Sequence, residues 1–565
     1  MSTDYLDDLI KKAKETSLEN ESKTIVKPDS DVKNEEPNEE AIAQEVKKEN
    51  FKDFKEKLGS REDLEIEPEA KEKNTTEKEL ETEKKVELKS YNNVKIYQIP
   101  GKAMKYYFIP TLRPTLIERR IINTIKEATT RLVSIAHFKI RNPDEKRFIY
   151  KQKVLEIIKN NPSLRIPQSR VSFYADAVVR EMVGYGLIDD LVKDDQLEEI
   201  MIVGSKKPVY VFHREFEMMQ TNIEFFSEQE IEDLVNKIAR EIGRRVDVSS
   251  PLLDARLADG SRVNATIPPA SISGGTLTIR KFREDPYSII DLIRMGTLSS
   301  EAAAFLWICV EGMGAKPANL LISGGTGSGK TTLLNVLASF IPERERIITI
   351  EDTSELNLPL KHWIRMESRP PGLEGTGEIK MDILTKNSLR MRPDRIIVGE
   401  IRHEEAFTLF TAINTGHDGC MGTVHANSPE ETLVRVTNPP MNVPKIMLAG
   451  LDFIIVEHRY HDRKKGTIRR ISEIAEVYGA LESNPKTQTI FQRDPVKDVL
   501  ERTLFSSEYL KELEAFTGLS REKIESEIEL RKLFLENLLK SNVRELVEVN
   551  KKSVDFLEKK NTFGE

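Results

Sequence analysis

Apolar residues recur at helical spacing over residues 116–137, 150–157 and 171–182. Short apolar or alternating runs predict strands at 198–203, 208–212 and 277–280. Between Ala255-Arg256-Leu257 and Arg262-Val263-Asn264, the pair Asp259-Gly260 predicts a hairpin. A two-residue loop there places Arg256 and Arg262 on opposite faces of the ribbon. Together these elements describe an α+β domain over 89–282. After a short linker at 283–286 the pattern changes. Continuous apolar runs at 320–322, 347–350, 395–398 and 421–424 alternate with helical stretches. That alternation is the mark of a doubly wound, mostly parallel sheet, here spanning 287–565. The last fifty or so residues are charged and helical, and Asn542-Val543-Arg544-Glu545 has capping-box form.

Residues 1–88 break this regime. They are rich in Glu and Lys, with Tyr5, Phe51 and Phe54 as their only aromatics. Such a stretch buries too little apolar surface to offset chain entropy, so a disordered acidic tail is expected. The net charge of −8 resides there: residues 1–90 hold 27 acidic and 18 basic side chains, leaving the rest close to neutral. A body without basic excess argues against nucleic acid as a partner. The two cysteines, Cys309 and Cys420, lie in apolar segments, and no run approaches the ~18 apolar residues of a membrane span. The expectation is a soluble protein of a reducing cytoplasm.

Chemistry concentrates in the second domain. Gly324-Gly325-Thr326-Gly327-Ser328-Gly329-Lys330-Thr331 fits G-x-x-x-x-G-K-[ST], with a predicted strand before it and a helix, continuing through Thr332, behind it. Its glycines let backbone N–H groups turn onto phosphate oxygens at the positive end of the helix. Lys330 would reach the β- and γ-phosphates and the Thr331 hydroxyl would sit on Mg²⁺, so ATP with Mg²⁺ is the expected ligand pair. The run Arg395-Ile396-Ile397-Val398-Gly399 ends in Glu400, placed to orient water, accept its proton and stand near the cation. Glu351, Asp352 and Glu355 cluster after another apolar run, a cluster that makes sense with metal or water between the acids. Glu355 is the second candidate for positioning water or metal, ahead of Glu351.

His417, Cys420 and His425 flank the predicted strand at 421–424. Five residues of extended chain separate Cys420 from His425 onto opposite faces, which disfavours zinc; a γ-phosphate contact suits His425 better. Arg256, Arg262 and Arg280 read either as a solvated cationic surface or as arginines supplied to a neighbouring subunit's triphosphate.

Taken together, these segments resemble the type II/IV secretion ATPase superfamily. The P-loop matches its Walker A motif, Glu351 to Glu355 its aspartate box, Gly399-Glu400-Ile401-Arg402 its Walker B, and Gly416-His417 through His425-Ala426-Asn427 its histidine box. The stretches 251–257, 259–264 and 279–282 resemble its arginine-bearing segment. Arg390-Met391-Arg392-Pro393-Asp394-Arg395 and Ile454-Ile455-Val456-Glu457-His458-Arg459 look most like the archaeal branch and its archaellum motor. The resemblance implies a RecA-like motor domain and a ring hexamer. It also implies docking, with other cytoplasmic motor components, beneath a polytopic membrane platform protein at the inner face of the cell membrane. A DNA-handling or conjugative DNA-export ATPase is the alternative.

Overall fold

The computed structural model describes residues 75–563 apart from 111–113, 133–142, 284, 372–375, 463–465 and 480–484. Most of the expected acidic tail, residues 1–74, lies outside them. Its last part is corrected: residues 75–82 are helical and a strand begins at Val86. Leu80 explains the difference, since it is buried with Tyr97, Ile99 and Tyr106 and ties the helix to the sheet that follows.

The described residues fall into two compact units, 115–175 in one and 75–114 with 176–563 in the other, so the single domain expected over 89–282 is divided. In the first, helices Leu116–Leu132 and Pro143–Asn160 pack together and bury Ile121, Ile122, Ile125, Tyr150, Val154 and Ile157.

The second unit contains two nine-stranded sheets. The first is built from β1 (Val86–Tyr91), β2 (Val94–Gln98), β3 (Lys105–Phe108), β4 (Leu197–Val203), β5 (Pro208–His213), β6 (Glu217–Glu224), β7 (Leu252–Arg256), β8 (Arg262–Thr266) and β9 (Thr276–Arg280). Its spatial order is β1-β2-β3-β6-β5-β4-β9-β8-β7, antiparallel except where β3 meets β6. Alternation is clean in β5, where Val209, Val211 and His213 are buried and the residues between them half-buried.

The second sheet comprises β10 (Leu320–Gly324), β11 (Ile347–Glu351), β12 (Trp363–Glu367), β13 (Arg395–Ile401), β14 (Met421–Val424), β15 (Phe453–Asp462), β16 (Gly466–Tyr478), β17 (Lys486–Asp494) and β18 (Val499–Arg502). Its order is β12-β11-β13-β14-β10-β15-β16-β17-β18. Every pair from β12 to β15 is parallel, as the apolar runs predict, and β15 to β18 extend the sheet antiparallel. Each residue of β10, β11 and β14 is buried, because helices cover both faces. One face is packed by α1 (Ser300–Glu311) and α2 (Lys330–Ala338), and by α3 (Arg521–Lys540) from the far end of the chain. α1 is apolar all round, from Ala302 to Val310; the Ser299 hydroxyl caps its start and Gly312, at φ 65°, ends it.

The capping box expected at Asn542 does not form. Asn542 has a φ of 55°, its side chain accepts from Arg294, and the helix begins only at Leu546. Among the described residues no helix is long and apolar enough to cross a membrane.

Candidate active site

β10 delivers the chain into the P-loop and α2 begins at Lys330. Gly329 takes a φ of 113°, a backbone that L side chains rarely adopt, and so turns the loop into the helix. A side chain on Gly324 would meet the Glu457 carbonyl 2.2 Å away. Lys330 is buried and donates to the Gly325 carbonyl at 2.9 Å, so its ammonium lies along the loop where phosphates would rest. Burial holds its pKa below the usual lysine range, against the opposing pull of Glu400 and Glu457. Thr331 and Thr332 line a cavity beside the loop.

Glu400, on β13, lies beside this loop. One oxygen accepts from Arg402 at 2.7 Å; the other stands 2.9 Å from Nε2 of His425 without hydrogen-bond alignment. Burial opposes ionisation of Glu400, but the Arg402 hydrogen bond and charge, with His425 and Lys330, outweigh it and hold the carboxyl below its ordinary range. His425 is pushed down in turn by burial and by Lys330, with Glu400 pulling the other way. An ionised carboxylate beside a neutral imidazole is the pairing a proton acceptor for water needs.

The acids after β11 have separate partners, where the sequence reading put metal or water between them. Glu351 is buried and accepts the backbone N–H groups of Glu355 and Leu356 at 2.8 and 3.0 Å, while burial pushes its carboxyl up to about 7. It holds the turn. Asp352 accepts from the Ser368 hydroxyl at 2.9 Å. Only Glu355 turns to the cavity. No group of three or more His, Cys, Asp or Glu suited to a metal occurs among the described residues.

The arginines differ from expectation in the face they share. Arg256 pairs in register with Arg262, and Arg262 with Arg280, so the three form one row on one face. The hairpin loop has five residues, 257–261, and that one-residue change of register moves Arg256 to the face of Arg262. All three also meet acidic side chains. Arg262 and Arg280 approach Glu355 at 3.2 and 3.5 Å; Arg256 pairs with Glu367 at 2.9 Å and donates to the Ser354 carbonyl. A cavity of about 390 Å³ is lined by Arg262, Arg280, Glu355, Gly327, Thr331 and Arg469, so arginines and P-loop of one chain share it.

The histidine segment divides its labour. His417 Nδ1 lies 3.2 Å from the Ala412 carbonyl, the Cys420 thiol donates to the His417 carbonyl, and burial pushes that thiol up to about 12. Only His425 reaches the site. The sequence reading gave no role to Arg402, which holds Glu400, or to Arg469, which donates to the Gly327 carbonyl at 3.0 Å. Arg402 sits within the strand-end motif already noted, whereas nothing near Arg469 in sequence marks it.

The residues fit a bound triphosphate and its cation. Ser328 Oγ and one Glu400 oxygen are buried without a hydrogen-bond partner, and the loop glycines turn as a phosphate cradle requires.

The sequence profile described as "Type II/IV secretion system protein" matches residues 181–473, just over half of the chain. The chain belongs to this family. An uncharacterized protein of Methanocaldococcus jannaschii, MJ0781, is 35% identical, over 65% of this chain and 74% of that one. The type IV secretion system protein VirB11 of Bartonella henselae is 32% identical, over 43% of this chain and 75% of its own length. Among solved structures, the VirB11 ATPase of Brucella suis aligns with 26% identity and a TM-score of 0.26, over 50% of this chain and 90% of that one. The family match takes in the P-loop, both acid-bearing strand ends, the arginine row and the histidine segment.

Proposed function

We propose that this secretion-family protein is an Mg²⁺-dependent ATP hydrolase that drives assembly of an archaellum or pilus-like filament, with rotation in the archaellum case. The observation that carries this reading is that Glu355, Arg262 and Arg280 share a cavity with Gly327, Gly329 and Thr331 of the P-loop, while Lys330 feels the charges of both Glu400 and Glu355. Lys330 binds the β- and γ-phosphates, Glu400 takes the proton of the attacking water, and Glu355 positions that water. Arg262 and Arg280 turn from Glu355 to the charge that develops on the transferred phosphoryl group. His425 steadies Glu400 and reads the γ-phosphate. Thr331, and Glu400 through water, would hold Mg²⁺, which when bound neutralises charge between the β- and γ-phosphates.

In this reading the protein works as a homohexamer beneath a polytopic platform protein, on the inner face of the cell membrane. Glu400→Gln tests the chemistry: it should still bind ATP yet hydrolyse it about 10²–10⁴-fold more slowly, measured by phosphate release. Near wild-type turnover would pass the base role to Glu355.

A second reading, DNA export, is favoured by relatives named putative conjugal transfer protein in Mycobacterium tuberculosis, 34% identical over 45% of this chain and 73% of theirs. Stimulation of hydrolysis by DNA, set against stimulation by cytoplasmic loops of a platform protein, separates the two.

A further inference from the structure

We propose that Glu457 is a positioning residue of the nucleotide site, whose carboxyl seats the P-loop from beneath and sets where Lys330 points. The inference rests on the ATPase reading above. β15 runs parallel to β10 and puts Glu457 level with Gly324, where the loop begins. From there the side chain turns under the loop. A Cβ built on Gly329 would lie 2.6 Å from Glu457 Oε1, so the carboxyl packs directly against that glycine. The residue is only 2% exposed, and its Oε2 has no hydrogen-bond partner. No step assigned to Lys330, Glu400 or Glu355 uses it.

An unpaired buried acid under a triphosphate site is costly when ionised, because desolvation and the phosphates both oppose the charge. Two cations face it from neighbouring elements: Lys330 from the start of α2 and Arg469 from β16. On its own strand, Arg459 reaches the loop near Gly327. Burial outweighs Arg469 and Lys330 and pushes the Glu457 carboxyl up to about 8. At neutral pH the group is therefore mostly a neutral acid that fills space under Gly329 and leaves the Lys330 ammonium free for phosphate. Once ionised, it competes with the phosphates for Lys330 and sets a negative charge beneath them. The sign follows from linkage. A bound polyanion raises the pKa of Glu457 further, so affinity is full below about 8 and falls as pH rises through that value, by up to about tenfold per unit.

The test is equilibrium binding of a fluorescent ADP analogue to the full chain at pH 7, 8 and 9, for wild type, Glu457→Gln and Glu457→Ala. Wild-type affinity should fall about tenfold from pH 7 to 9. Gln, a near-isostere of the neutral acid, should remove most of that fall and recover the affinity that Ala loses at pH 7. Superimposable wild-type and Gln profiles overturn the proposal, since Lys330 would then carry any pH effect. Should Glu457→Ala fail to fold, the wild-type and Gln pair still decides. A wild type that binds no nucleotide at pH 7 sinks the ATPase reading, an outcome separate from the comparison of profiles.

Discussion

The two nine-stranded sheets handle charge in opposite ways. The second is covered on both faces, and β10, β11 and β14 are buried at every position. Polar chemistry can leave such a sheet only at strand ends, and there lie the P-loop, Glu351, Glu400 and His425. The first sheet is antiparallel, and β8 buries Val263 and Ala265 while its other residues face outward. It therefore carries Arg256, Arg262 and Arg280 as a row across the ladder. The exposures follow: Lys330 is 7% exposed as a residue, whereas the side chains of Arg262 and Arg280 are 42% and 62% exposed. One sheet fixes its charges and the other leaves them free to change partner.

Lys330→Ala should have the largest effect. It removes the buried cation of the P-loop, so ADP affinity should drop about 100-fold and turnover should vanish with it, read by nucleotide titration and phosphate release. Affinity within a few-fold of wild type would place the binding energy elsewhere, in the exposed arginines.

Arg262→Ala or Arg280→Ala should come next. Turnover should fall about 10²–10³-fold while nucleotide affinity moves less than about fivefold, because a guanidinium that answers transition-state charge contributes little to the ground state. Mixed assemblies of Arg262→Ala and Lys330→Ala subunits sharpen the point. Arginines that serve their own chain's site leave such mixtures inactive, whereas recovery of activity would mean that they act across a subunit junction.

Arg256→Ala should have the smallest effect. Its pair with Glu367 is about one-third exposed on both sides, so solvent screening limits the loss of stability to about 1 kcal/mol or less in denaturant unfolding. A drop in turnover as large as that of Arg262→Ala would mean that all three members of the row exchange partners.

The fixed sheet was largely legible in sequence. Continuous apolar runs have few homes other than a parallel sheet covered on both faces, and the P-loop pattern with Glu400 at a strand end carries its own geometry. The antiparallel sheet was less so. Asp259-Gly260 reads as a two-residue turn, yet Leu257 is buried, its N–H donates to the Ser261 carbonyl, and Ser261 is held by the Asp259 carboxylate. A tertiary contact thus lengthened the loop and reversed the face of Arg256. Glu351 shows the same limit. Spacing joins it to Asp352 and Glu355, but nothing local reveals that its carboxylate is taken up by two backbone N–H groups.

The far end of the chain bears on where the motor core stops. The family match stops at residue 473, yet Phe491, Leu500, Leu510, Ile524, Ile528 and Leu535, all beyond it, share one core with Leu333 and Leu337 of the P-loop helix. Asn550 donates to the Ser339 carbonyl just behind that helix, and Arg531 pairs with Glu311 at 2.9 Å. The segment the family profile matches and the segment that folds as one core therefore have different borders. The P-loop helix leans on described residues beyond 473, and a chain trimmed to the matched span would lose one wall of its own interior.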